Sequence, residues 1–266
     1  MRPGTLVNME GKTYGRFYRS PLTMLWREQM EDRKLREKHE KSNLYRTHGL
    51  CGIHHHEDLG KARAALQRDA LDLLDDMSLI DEPIWAFGEE WADFHTVVRY
   101  FNKPKKEKDG TDKFGINFQK LFEEGRPFSG RQIFRSNVVL DFKVKQPGDK
   151  KNAMSVDVSP QTFLDYAREF CRPRIEFHQP RVVIAMGVDV TNALLIAHGQ
   201  EAVRGSFNDF VDRVARDGAP QLRAGTHLVP VFHPGHFGWV VNRKRPPGKN
   251  ADEQNIQDWA VALRYN

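Results

Sequence analysis

The run Arg181-Val182-Val183-Ile184-Ala185-Met186-Gly187 constrains this chain more than any other stretch. It is apolar and β-branched along its length, so neither face is suited to water. A run of that kind reads as a strand covered on both sides, the habit of parallel sheets sandwiched between helices. The sequence beyond its glycine, Val190 to His198, has helical spacing. Related runs recur. Ile84-Trp85-Ala86-Phe87 stops at Gly88, Ile133 to Phe142 is β-branched and aromatic, and Leu228-Val229-Pro230-Val231-Phe232 runs into His233. Ser159 is placed to cap a helix opened by Pro160, and Pro173 predicts that this helix ends near Cys171. Another helix is expected from about Asp252. Strands alternating with helices imply an α/β fold with a mainly parallel central sheet and helices on both faces.

Residues 1–80 have a different character. Met24 to Asn43 is highly charged, free of glycine and proline, and reads as a solvated helix of mixed sign. Gly49 to Glu57 reads as a loop. Leu59 to Ile80 carries apolar residues near a 3.6 period and predicts a second helix, broken by Asp81-Glu82-Pro83. The expected organisation is a charge-rich helical extension over 1–80 and an α/β domain over 81–266.

Composition narrows the function classes. No run of about 18 apolar residues occurs, and the N-terminus has no apolar signal core, so a cytoplasmic protein with no membrane partner is expected. The cysteines are Cys51 and Cys171, too few for a four-cysteine zinc site or an iron–sulfur cluster. His54-His55-His56-Glu57 suggests a metal, but neighbouring side chains on a loop seldom face one ion. Neither metal nor cofactor is expected, and no phosphate-binding or dinucleotide glycine pattern is present. The net charge of +5 favours a polyanionic partner.

In sheets of this class ligands bind at the carboxyl ends of the strands. Those ends carry Gly88-Glu89-Glu90, the residues after Asn137, and His233-Pro234. In order along the chain, Ile84 to Trp91, Phe134-Arg135-Ser136-Asn137-Val138-Val139, Pro180 to Gly187 with Ala193-Leu194-Leu195, and Leu228 to Gly235 resemble the motifs of the uracil-DNA glycosylase superfamily. The resemblance covers about residues 82 to 263. It implies a hydrolase that flips a base out of DNA and cleaves its N-glycosidic bond, leaving an abasic site. By this resemblance Asn137 reads the extruded base and His233 polarises the base oxygen. Glu90 sits beside the sugar, with Glu89 and then Asp93 as further acids, and Gly88 closes the first motif.

The chemistry asks for such groups. Flipping costs a few kcal/mol, and stacking on an aromatic face returns about 1–3 kcal/mol per base. An amide can pair with a base edge. Negative charge growing on the base calls for a donor, and positive charge on the sugar calls for a carboxylate. Phe128 of Gly125-Arg126-Pro127-Phe128-Ser129-Gly130 is the first stacking candidate, with Phe114 and Phe118 as others. Gly235, His236, Phe237, Arg243, Lys244 and Arg245 are the expected DNA contacts, with Phe237 or Trp239 as a wedge. Trp91 stands where the family has proline, Glu90 is one methylene longer than aspartate, and Gly235 replaces a serine. These departures bring in two other expectations: a catalytically silent nucleic-acid-binding module of the same fold, and an α/β hydrolase of free nucleotides.

Overall fold

The computed structural model describes residues 6–7, 13–14, 33–35, 37–39, 41–51, 79–89, 117–143, 158–235, 237–244 and 246–266. Its centre is a five-stranded sheet. The strands are β4 (Ile84–Gly88), β5 (Phe134–Asn137), β7 (Val182–Met186), β8 (Gln221–Arg223) and β9 (Thr226–Val231), in the spatial order β5-β4-β7-β9-β8. All pair in parallel except β8, which returns antiparallel to β9. Three short strands lie outside this sheet: β1 (Leu6–Val7) pairs with β2 (Thr13–Tyr14), and β3 (Leu50–Cys51) with β6 (Phe142–Lys143), both antiparallel. The mostly parallel α/β architecture is the coarse class expected.

Every residue of β4 and β7 is buried, as continuous apolar strands require. The Trp85 indole donates to the Ile80 carbonyl at 3.1 Å and so pins the start of β4. Leu228 donates its amide to the Pro220 carbonyl at 2.8 Å, on the side of β9 facing β8. Pro230 lies on the same side two residues later, past the residues that pair with β8, where its missing N–H forfeits no ladder bond.

The crossover from β5 to β7 is helical over residues 160–178. After the short helix α1 (Leu44–Thr47), this crossover supplies α2 (Pro160–Tyr166), a π turn (Ala167–Cys171) and α3 (Arg172–His178). Ser159 caps it as expected, accepting from the Thr162 amide at 3.2 Å. It does not stop at Cys171. A proline in an ordinary helix clashes with the carbonyl four residues back and lacks its hydrogen bond. Here Arg172 donates to the Ala167 carbonyl, five residues back, and this widened turn carries the helix past Pro173. Gln179, with φ 54°, ends it in the left-handed region.

After β7 come α4 (Val188–Ala197) and α5 (Phe207–Asp217), and after β9 a π turn (Phe237–Asn242) and α6 (Ala251–Ala260). Asn250 and Glu253 form a reciprocal capping box at the start of α6. The expected strand Ile133 to Phe142 is two pieces: β5 stays in the main sheet and β6 leaves to pair with β3. Leu50 and Cys51, expected in a loop, are therefore a strand.

Residues 33–51 dock on the α/β core through buried polar groups. The Nε2 of His39 lies 3.2 Å from Asp141, which also accepts from the Tyr166 hydroxyl. His48 donates from Nε2 to Asp165 at 2.9 Å, and the Thr162 hydroxyl meets its Nδ1 at 3.0 Å. Burial and the adjacent Asp141 hold the Tyr166 phenol above its ordinary range. The predicted helix Leu59 to Ile80 and the His54-His55-His56-Glu57 run lie outside the described residues, apart from a turn that includes Leu79 and Ile80.

Candidate functional site at the carboxyl edge of the sheet

Strand order reverses at β4: β5 lies on one side of it and β7 on the other. The carboxyl ends beside such a reversal are the usual ligand position in sheets of this class. The last paired residues make a row across the sheet, Asn137, Gly88, Met186 and Val231. Three strand spacings separate its ends, about 14 Å.

Gly88 is required by what its neighbours do. A Cβ built on it would fall on the Asn137 Oδ1 and within 3.4 Å of the Met186 methyl. The Asn137 amide thus lies across the glycine, directed from β5 towards β7. Beyond the row, Val138 and Val139 donate to the carbonyls of Gly88 and Glu89 at 3.0 and 3.1 Å. This extra pairing fixes where Glu89 leaves the sheet.

Glu89 reaches the next strand. A Cβ on Gly187 would lie 2.7 Å from its Oε1, and Gly187 has φ +107°, a conformation other residues rarely adopt. Gly187 is also the first residue of the cap of α4 and donates its amide to the Val231 carbonyl at 2.9 Å. The carboxylate therefore sits at the positive end of a helix, worth about 0.3–1 kcal/mol to a negative charge. Asp189, in the first turn of α4, is a second acid at this place, and burial raises its carboxyl above the usual range. Sequence reading passed over Asp189; the available signal was an acid two residues beyond a strand-ending glycine.

His233 follows β9 on the far side of β7. Its Nδ1 accepts from the Gly235 amide at 3.0 Å. A ring nitrogen that accepts carries no proton, so the neutral imidazole bears its hydrogen on Nε2. Burial of much of the ring pushes its pKa down to about 4. A Cβ at position 235 would stand 2.9 Å from Nδ1, so glycine permits this close turn. The buried Asn117 amide, also missed from sequence, donates to the Pro234 carbonyl at 2.7 Å.

Other expected site residues fare differently. Glu90, Asp93, His236 and Arg245 lie outside the described residues, as do the Phe114 alternative and the Phe237 side chain. Phe128 is a correction. It is fully buried, with its ring 5.7 Å from Phe122 and 6.2 Å from Trp259, so no face is open to a base. Trp239 is equally enclosed, donating to Asp252 at 2.7 Å, and cannot serve as a wedge. Arg243 is a second correction. It is 2% exposed and its guanidinium is held by Asp258 and Asp212 at 2.7 and 2.5 Å, which keep it charged and occupied inside the protein. Lys244 is exposed.

The large apolar side chains exposed among the described residues are Val188, Val240 and Val241. Val188 opens α4 at this edge, and the other two stand on the π turn that follows the His233 loop. No protein-family model matches the chain, and no curated protein does. Among the described residues no helix is long and apolar enough to cross a membrane, and no cluster of metal-binding side chains occurs.

Proposed function

We propose that the chain is a DNA glycosylase that extrudes a uracil-like or otherwise modified base and hydrolyses its N-glycosidic bond. One observation carries this reading. An amide, a carboxylate and a neutral imidazole, from Asn137, Glu89 and His233, stand on or just beyond the carboxyl ends of β5, β4 and β9, parallel strands of one sheet. The resemblance of the four sequence motifs supports it further.

In this mechanism the base enters between β5 and β9. Asn137 pairs with its edge, and Gly88 leaves the space the amide needs. His233 donates from Nε2 to the base oxygen as the glycosidic bond lengthens. Because its charged form is disfavoured, the imidazole stays neutral near pH 7, and its Nε2–H can stabilise growing negative charge by a hydrogen bond without transferring the proton. A carboxylate of the Glu89-Glu90 pair faces the sugar cation and orients the attacking water. With Phe128 and Phe118 both buried in the core, Phe114 remains the stacking candidate. Val240 or Val241 supplies the apolar wedge that fills the vacated stack.

The test uses duplex and single-stranded oligonucleotides carrying a panel of modified bases, followed by alkaline cleavage at abasic sites. At least one base is expected to give product, and His233→Ala is expected to lose most of that rate while binding stays nearly unchanged. Salt-sensitive binding without product from any base would instead favour a silent binding module. Turnover of mononucleotides without DNA binding would favour a nucleotide hydrolase.

A further inference from the structure

We infer that Asn117 is a positioning residue for His233, holding the Pro234–Gly235 peptide in the one orientation that fixes the imidazole tautomer. The consequence for catalysis rests on the reading above; the consequence for the ring does not.

The inference follows from a shared peptide plane. The Pro234 carbonyl and the Gly235 amide belong to one planar unit, and in a trans peptide they point in opposite directions. Asn117 donates to the carbonyl at 2.7 Å on one side. Gly235 donates to the His233 Nδ1 at 3.0 Å on the other. Fixing the carbonyl therefore fixes the N–H, and through it the nitrogen that must remain unprotonated. Hydrogen bonds in series polarise one another, so the donor at Asn117 also strengthens the bond to the ring.

The surroundings give the brace a rigid base. Residues 117–119 are helical, and Asn117 is 6% exposed. The next residue, Phe118, packs its ring 5.5 Å from Trp259 and 5.1 Å from Phe122 in the core. His233 precedes a proline and so is restricted to extended backbone. The peptide after Pro234 is the remaining freedom in the turn, and Asn117 removes it. An aspartate of the same shape would fail here, since a carboxylate has no hydrogen to give and repels a carbonyl oxygen.

The experiment is a long-range proton–nitrogen NMR spectrum of the full chain labelled on histidine. The His233 signals are assigned by their loss in His233→Gln. The parent is expected to show one tautomer, protonated on Nε2. In Asn117→Asp and Asn117→Ala the two ring nitrogens should move towards a shared average, and kcat for any excised base should fall about tenfold with KM little changed, the scale of one hydrogen bond. A folded variant that keeps the Nε2 tautomer unmixed overturns the inference. If neither variant folds, amide exchange in the parent decides. Protection shared by the Asn117 side chain and the Gly235 amide supports the brace, and rapid exchange at either overturns it. A mixed tautomer in the variants of a chain that excises no base would leave Asn117's role standing and remove the glycosylase reading.

Discussion

A histidine with a pKa pushed down to about 4 makes two measurable claims about this protein. The first concerns stability. The folded state resists protonating His233, while the unfolded chain protonates it near its ordinary value of about 6.5. Between those two values the unfolded state binds more protons, so stability falls as pH drops from about 6.5 and levels off near 4. The loss is about 3–4 kcal/mol, and urea titrations of the parent against His233→Gln should show it only in the parent. The second concerns rate: excision should hold its plateau well below pH 6.5 on the His233 side of the profile. Gly88 gives another residue-scale test. Gly88→Ala puts a methyl group where the Asn137 amide oxygen lies, and excision should fall about a hundredfold for a displacement of about 1 Å. Combining it with Asn137→Ala should cost little more than either change alone, because both remove the same contact. At this scale the sequence was a fair guide to where Asn137, Gly88, Glu89 and His233 stand, at the end of a strand or one or two residues beyond it. It misled on Phe128 and Arg243. A phenylalanine in a glycine-proline loop and an arginine in a basic loop look exposed, but the first packs on Trp259 and the second meets Asp212 and Asp258, partners distant in the chain.

Among the elements, β4, β7, β9, α4 and α6 were legible because an apolar run, a proline, a glycine or a cap announces itself within a few residues. The helix over 160–178 shows where local rules fail. Pro173 signals a stop, and only the π turn before it, invisible in a hydropathy pattern, explains the continuation. Segment 207–223 was passed over, although Phe207, Phe210, Val211 and Val214 carry the i, i+3, i+4, i+7 spacing of α5; β8 is a short edge strand with little signal. The contact between residues 33–51 and the core was hidden for another reason: buried and half-buried hydrogen bonds join residues roughly a hundred positions apart. Asp141→Ala should destabilise the protein by about 2–4 kcal/mol, because His39 and Tyr166 lose their shared buried acceptor. Hydrogen exchange should report accelerated opening of residues 41–51 at the same time. A variant whose exchange in that segment is unchanged would show that the docking is held by apolar contacts instead.

For the whole molecule the relevant charge is the part that can meet a phosphate. Arg243 counts towards the net +5 but is spent inside the fold. Arg243→Met is expected to cost about 3–5 kcal/mol of stability by stranding Asp258, while the salt dependence of DNA binding by the folded fraction stays the same. Lys244→Ala should do the reverse: stability unchanged, and the slope of log K against log salt reduced by about 1. Fluorescence anisotropy across a salt series measures both. The sheet itself limits what can be added to it. Position 230 presents no amide hydrogen on the side of β9 that faces β8, and the residue is buried, so the ladder on that flank closes at Leu228 and a strand laid beyond it would miss a bond.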